Sequence, residues 1–170
     1  DRAQVLEWRM ADFVTPEKRS RIMRGVKQAN TQPELLVRRA LHARGYRFRL
    51  HRKDLPGRPD IVLPRHKLAI FVHGCFWHQH AGCKDGRMPA SNEAYWEPKL
   101  RRNTERDAEK AAALEAAGWK VATIWECEAR TPSLLERALD QALASSTSPS
   151  QRATAEGIIS GKRGSRSEAC

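Results

Sequence analysis

Residues 71–83 read FVHGCFWHQHAGC, setting His73, His78 and His80 around Cys75 and Cys83 at the end of an apolar run. Thiolates and imidazole in tetrahedral array suit a structural zinc ion and leave no position open for catalysis. Cys75, His80 and Cys83 lie within nine residues, and Cys127, after the run TIWE, completes a Cys3His set if a neighbouring strand carries it alongside. The plain alternative is a group of buried thiols with a histidine nearby. His73 and His78 are left over. A rigidly held imidazole can take a proton from water near neutral pH, and an imidazolium can hold a phosphate oxygen, although either can equally be a structural histidine. A third chemistry starts at Asp60, in the turn PGRPD. If the strands after Asp60 and before His73 form a hairpin, their ends meet, and a carboxylate beside backbone carbonyls is a hard-oxygen site for Mg2+ that can polarise a phosphodiester.

The charge points to the same substrate class. The 170 residues carry a formal net charge of +11. Residues 15–53 hold twelve Lys and Arg against Glu17 and Glu34, leaving +10 in one quarter of the chain. A basic field so concentrated suits a polyanion bound with counterion release, whereas a solvated surplus of cations is the bland reading. Phe76 and Trp77, with Tyr95 and Trp96 further on, are core residues by default. Presented from a basic face, such rings can also stack on bases or wedge between base pairs.

These side chains need a scaffold. Residues 1–15 show no clear period and read as an N-terminal extension, and residues 16–28 read as a basic, weakly helical arm. Thr31 with Glu34 makes a capping-box pattern ahead of Leu36, Val37, Ala40 and Leu41 at helical spacing, and Gly45 supplies the stop. YRFRL, residues 46–50, alternates as a half-buried strand; IVL and KLAIFV make two more. A long helix is expected over residues 92–117, then the strand KVATIWE, then an amphipathic helix from Pro132 to about Leu143. Helix, three strands, helix, strand, helix is a three-layer α/β domain with a mixed sheet. It spans residues 16–144; residues 145–170, rich in Ser, Thr, Gly and Arg and including Cys170, read as a disordered tail.

LPGRPDIV, FVHGCFWHQH, NTERD and GWKVATIWEC together resemble, in order and spacing, the very-short-patch-repair (Vsr) DNA mismatch endonucleases of bacteria, over residues 15–143. The resemblance implies a restriction-endonuclease-like fold and a Mg2+-dependent hydrolase that nicks one strand of duplex DNA 5′ to the thymine of a T·G mismatch, the product of 5-methylcytosine deamination. It implies that Asp60 and the Val72 backbone carbonyl hold Mg2+, that Glu34 holds a metal-bound water, that His78 activates the attacking water, and that His73 assists at the scissile phosphate or leaving group. It further implies that Phe76, Trp77 and Trp96 form an aromatic wedge beside the mismatch, with Met23 of the basic arm approaching from the other groove, and that Cys75, His80, Cys83 and Cys127 bind structural Zn2+. Val72 stands where the family carries a hydroxyl-bearing residue, so its side chain would have no role.

Two other functions fit the same residues. A restriction endonuclease of this fold would cut matched duplex on both strands, and a zinc-stabilised DNA-binding module would cut nothing. No apolar run reaches the roughly 18 residues of a membrane helix and no signal-peptide pattern opens the chain. The expectation is a soluble, cytoplasmic monomer acting at the nucleoid on double-stranded DNA, alongside other mismatch-repair proteins.

Overall fold

The computed structural model describes residues 15–27, 29–89 and 92–145, with the side chains of residues 16, 19, 22 and 23 outside that description. Apart from Thr15 and Ser145, the expected N-terminal extension and tail, Cys170 included, lie outside the described residues. The basic arm is a helix, α1 (Pro16–Gly25).

Helix α2 (Gln32–Ala43) begins where the sequence places it. The Thr31 N–H donates to Glu34 Oε1 at 3.3 Å, the glutamate half of a capping box. At its other end Gly45, at φ +80°, donates to the His42 carbonyl, and Tyr46 donates to the Leu41 carbonyl. Those two bonds make a Schellman motif, and they shorten the strand expected at residues 46–50. With the Tyr46 N–H tied back into the helix end, β1 is only Arg49–Leu50. Tyr46 and Phe48 instead pack as loop residues against the core.

Strands β2 (Ile61–Leu63), β3 (Leu68–His73) and β4 (Lys120–Trp125) complete a sheet of order β1-β2-β3-β4. The first two pairings are antiparallel and the last is parallel, so the sheet is mixed as expected. A parallel pair needs a crossover, supplied by the 24-residue helix α3 (Glu93–Ala116). It ends in a second Schellman motif, in which Gly118, at φ +76°, donates to Glu115 and Trp119 donates to Leu114. A short helix that the sequence did not announce, α4 (Glu126–Arg130), follows β4 directly, and α5 (Pro132–Ala144) closes the domain.

Side chains alternate across β3 as strand geometry requires. Leu68 and Ile70 join Ile61, Leu63 and Ile124 in a core covered by residues of α2, α4 and α5. Ala69 and Phe71 face the other way, against Leu114 of α3 and Trp119. Helices thus cover both faces, and the C-terminal end of β3 runs out between them. Among the described residues no helix is long and apolar enough to cross a membrane.

Candidate active site

Register does the first part of the assembly. Ile61 pairs with Ile70 across the antiparallel β2 and β3, which brings the preceding Asp60 beside the end of β3. Its Oδ2 accepts the Val72 N–H at 2.8 Å. Leu50 pairs with Ile61, so His51 follows β1 to the same place, and its N–H donates to the Asp60 carbonyl at 3.4 Å. Glu34, 2% exposed, arrives from the first turn of α2. One ligand atom from each of Glu34, His51 and Asp60 lies within 4.8 Å of the others. The sequence reading put Glu34 and Asp60 here and missed His51. The signal was available, because a strand that pairs with the one opened by Asp60 must end opposite it.

A network holds this acidic corner. Glu34 Oε2 accepts from the Asn30 N–H at 3.1 Å and from Arg38 Nη2 at 2.6 Å. Arg38 Nη1 donates to Asn30 Oδ1 at 2.7 Å, and Nη2 lies 3.0 Å from His51 Nε2. A guanidinium has no acceptor, so Nε2 must accept and the imidazole proton sits on Nδ1, facing Asp60 Oδ1 at 3.8 Å. Burial lifts the Asp60 carboxyl from 3.8 to about 6; the Val72 N–H opposes that, and the charge of Glu34 adds to it. A cation placed there would reverse the shift.

His73 and His78 lie just beyond. Their rings stack at 3.9 Å and 8°, and His78 Nδ1 is hydrogen-bonded to Asp107 Oδ2. Asp107 was missed as an individual residue although it lies in the stretch NTERD, because nothing in the sequence shows which turn of α3 faces β3. Although these three residues cluster closely, the histidines cannot share an ion as they stand. A metal must lie in the plane of each ligating ring, and two parallel planes do not meet. Such a group can instead handle a proton. Burial, with the neighbouring His78, depresses His73 from 6.5 to about 3, so it enters as a neutral imidazole. Asp107 stays below the ordinary carboxylate range; burial is the largest single influence and works against that, and the hydrogen bond and charge of His78, with His73 and Lys110, together outweigh it.

The third group closes on itself. Cys75, His80, Cys83 and Cys127 place one ligand atom each within 4.8 Å of one another. His80 Nδ1 lies 3.6 Å from Cys75 Sγ and 3.4 Å from Cys127 Sγ. Tetrahedral zinc with ordinary bond lengths puts sulfur and nitrogen about 3.6 Å apart, so the residues fit that ion. Burial pushes both the Cys75 and Cys127 thiols up, a cost that metal binding removes by taking thiolates. Gly86 lets the loop pack this tightly, because a Cβ there would meet the His80 carbonyl oxygen at 2.5 Å. Trp125 joins the two histidine groups: His80 stacks on it at 4.1 Å and 2°, and His73 meets it edge-on at 5.6 Å.

Asp60, Glu34, His51, His73 and His78 all line one cleft of about 670 Å³, with Lys27, Arg58, Lys99, Arg106 and Lys110 on its walls. Comparison with known proteins supplies the family. Residues 11–84 match the family model described as DNA mismatch endonuclease Vsr. The type II nicking enzyme V.XorIIP of Xanthomonas oryzae pv. oryzae is 54% identical over 130 residues, covering 76% of this chain and 95% of that protein. V.NmeAIP, a type II nicking enzyme of Neisseria meningitidis, is 40% identical over 132 residues, covering 78% and 94%. The DNA mismatch endonuclease Vsr of Escherichia coli is 37% identical over 134 residues, covering 79% and 83%. The chain belongs to the Vsr family. It is a nuclease by that membership.

In this Vsr-family chain the aromatic residues are packed together. Phe76 is 3% exposed and Trp96 is fully buried, and both pack with Leu100, Trp77 and Met88. Trp77 is the more accessible ring, and its carbonyl accepts from Asn103 Nδ2 at 3.0 Å. Lys99 Nζ sits 5.2 to 5.6 Å from the ring centres of Tyr95, Trp96 and Trp77. Phe76 and Trp77 line the cleft and Trp96 does not. The side chain of Met23 lies outside the described residues.

Proposed function

We propose that the chain is a Mg2+-dependent, zinc-stabilised endonuclease of restriction-endonuclease-like fold that nicks one strand of duplex DNA 5′ to the thymine of a T·G mismatch. The observation that carries this reading is the meeting, in one cleft with lysines and arginines on its walls, of a buried hard-oxygen corner and a stacked histidine pair backed by a carboxylate. Asp60 and the Val72 carbonyl would hold Mg2+, with Glu34 on one of its waters. When bound, that ion supplies charge to the phosphodiester oxygens and lowers the pKa of coordinated water.

The remaining work falls to the chain. His78, held by Asp107 at Nδ1, presents Nε2 as a base; it takes a proton from the attacking water as the water oxygen bonds to phosphorus. Asp107 offsets the imidazolium that forms. His73, neutral and stacked on His78, offers an N–H to the phosphate or to the departing sugar oxygen, whose bond to phosphorus breaks. Cys75, His80, Cys83 and Cys127 would hold Zn2+ and, through the loop between Cys75 and Cys83, fix His78. Trp77, with Phe76 packed beside it, would meet bases at the cleft, and Trp96 would support them.

The test is strand-resolved cleavage of a duplex with one T·G mismatch, beside its matched twin, with and without Mg2+. A nick beside the thymine, in the mismatched duplex only and only with Mg2+, is expected. Cutting of both strands of the matched twin would replace this proposal with a restriction enzyme. Binding of both duplexes without any cut, across several flanking sequences, would reduce it to a DNA-binding module.

A further inference from the structure

We propose that Lys110 is a phosphate-contacting residue of the cleft, with the turn that carries Asp60 built around its side chain. The proposal rests on the nuclease reading and adds a residue to it. One face of α3 lines the cleft, through Lys99, Asn103, Arg106, Asp107 and Lys110, at the spacing of a single helical stripe. A second cavity of about 240 Å³ lies beside the first and shares His73, His78, Asp107 and Lys110 with it. Among the described residues, Lys110 is the one Lys or Arg bordering both, so it stands in the wall between them at the histidine pair.

Its stem is held from below. A Cβ on Gly57 would lie 2.5 Å from Lys110 Cγ and 2.7 Å from its Cβ. Gly57, at φ +69°, belongs to the PGRPD turn that delivers Asp60, so only a bare backbone lets the lysine cross there. A free lysine loses up to about 2 kcal/mol of rotamer freedom when ordered. Packing the stem against Gly57 meets much of that before DNA arrives.

Its head is under-used. Lys110 Nζ lies 3.3 Å from Asp107 Oδ1, longer than the 2.7 to 2.9 Å of a close charge-assisted bond. The other Asp107 oxygen is already taken by His78. An ammonium has three donors, and this side chain is 37% exposed. Glu34, Asp60 and Asp107 together make the floor of the cleft repel a phosphate, and a lysine at this position offsets that repulsion where the backbone must come closest. The ordinary alternative is that Lys110 does nothing but tether Asp107 as an i, i+3 pair.

Salt dependence separates the two. Lys110→Gln keeps the stem on Gly57 and removes the charge; Lys110→Arg keeps a cation. Binding of a T·G duplex, measured against salt concentration on zinc-loaded protein without added Mg2+, gives the number of phosphate contacts from the slope. Lys110→Gln is expected to reduce that slope by about 0.9 and to weaken binding about eightfold at 0.1 M salt, with Lys110→Arg restoring the slope. With Mg2+ added, nicking by Lys110→Gln should fall on the order of 10²-fold. A methylphosphonate at the scissile position or the one next to it should weaken wild type and leave Lys110→Gln unchanged. An unaltered slope, whether or not nicking slows, overturns the proposal and leaves Lys110 as the Asp107 tether. If wild type itself fails to nick while the slope still changes, the nuclease reading falls and the phosphate contact stands.

Discussion

Two groups of ligating side chains leave the same strand within three residues of each other and have opposite characters. From Cys75 the chain enters a set of three sulfurs and one imidazole that face only one another. From Val72 it borders Asp60, Glu34 and His51, which face a cleft. The soft set has no position left for a substrate, so all that a metal held there would contribute is folding energy. The hard set is left incomplete, and it is costly while empty, since burial beside Glu34 raises the Asp60 carboxyl to about 6. One end of β3 therefore combines a closed cluster with a strained site, and a metal in the closed cluster would fix the loop bearing His78 over the strained site.

Breaking each group separately should break different things. Cys127→Ser, or prolonged chelation of zinc, should cause the largest loss of structure. Circular dichroism would follow unfolding, and metal analysis would follow the release of one zinc per chain. A folded, stable protein without stoichiometric zinc would refute the closed set. Asp60→Asn should do the reverse, slowing nicking on the order of 10³-fold while zinc content and fold persist. Retained turnover would remove Asp60 from the reaction.

How much of this contrast could be read beforehand depends on sequence distance. Cys75, His80 and Cys83 are close in the chain, so their grouping is visible without a fold. Asp60 and Val72 required only that two adjacent strands form a hairpin. His51 required the register of the two-residue strand β1, which the Schellman motif at Gly45 and Tyr46 had cut short. Asp107 required knowing which turn of a 24-residue helix faces the histidines. The helix α4 was hidden because its five residues, ECEAR, have no apolar period and begin directly from a strand. Trp96 shows the opposite fault. Its place beside other aromatics argued for a surface wedge, yet Phe76 and Leu100 enclose it completely.

The cost of the open corner can be measured as stability. Asp60 titrates from 3.8 unfolded to about 6 folded, so its protonated form is favoured by folding. That contribution is fully present below pH 3.8 and is lost as pH rises through 6. In protein free of Mg2+ Asp60→Asn should therefore raise the unfolding free energy above pH 6, by up to about 3 kcal/mol, with the gain shrinking toward pH 4. Denaturant titrations of zinc-loaded protein without added Mg2+ at pH 4.5 and 7.5 would show it. A gain equal at both pH values would mean that Asp60 is not strained by burial. Mg2+ should stabilise wild type and leave Asp60→Asn unmoved.

The two tryptophans sharpen the contrast inside the cleft itself. Trp96 is fully enclosed, so Trp96→Ala should open a cavity and cost about 3 to 5 kcal/mol of folding stability, with matched and mismatched DNA losing affinity alike. Trp77 is partly exposed and lines the cleft. Trp77→Ala should leave the fold near wild type and remove about 1 to 3 kcal/mol of stacking, and the loss should fall on the T·G duplex. The reason is the cost of opening the stack: a mispaired step is cheaper to unstack than a matched one, so a ring inserted there gains contact that the matched duplex denies it. Fluorescence anisotropy on the two duplexes measures the difference. An equal loss on both would make Trp77 a general cleft contact and assign discrimination to other residues.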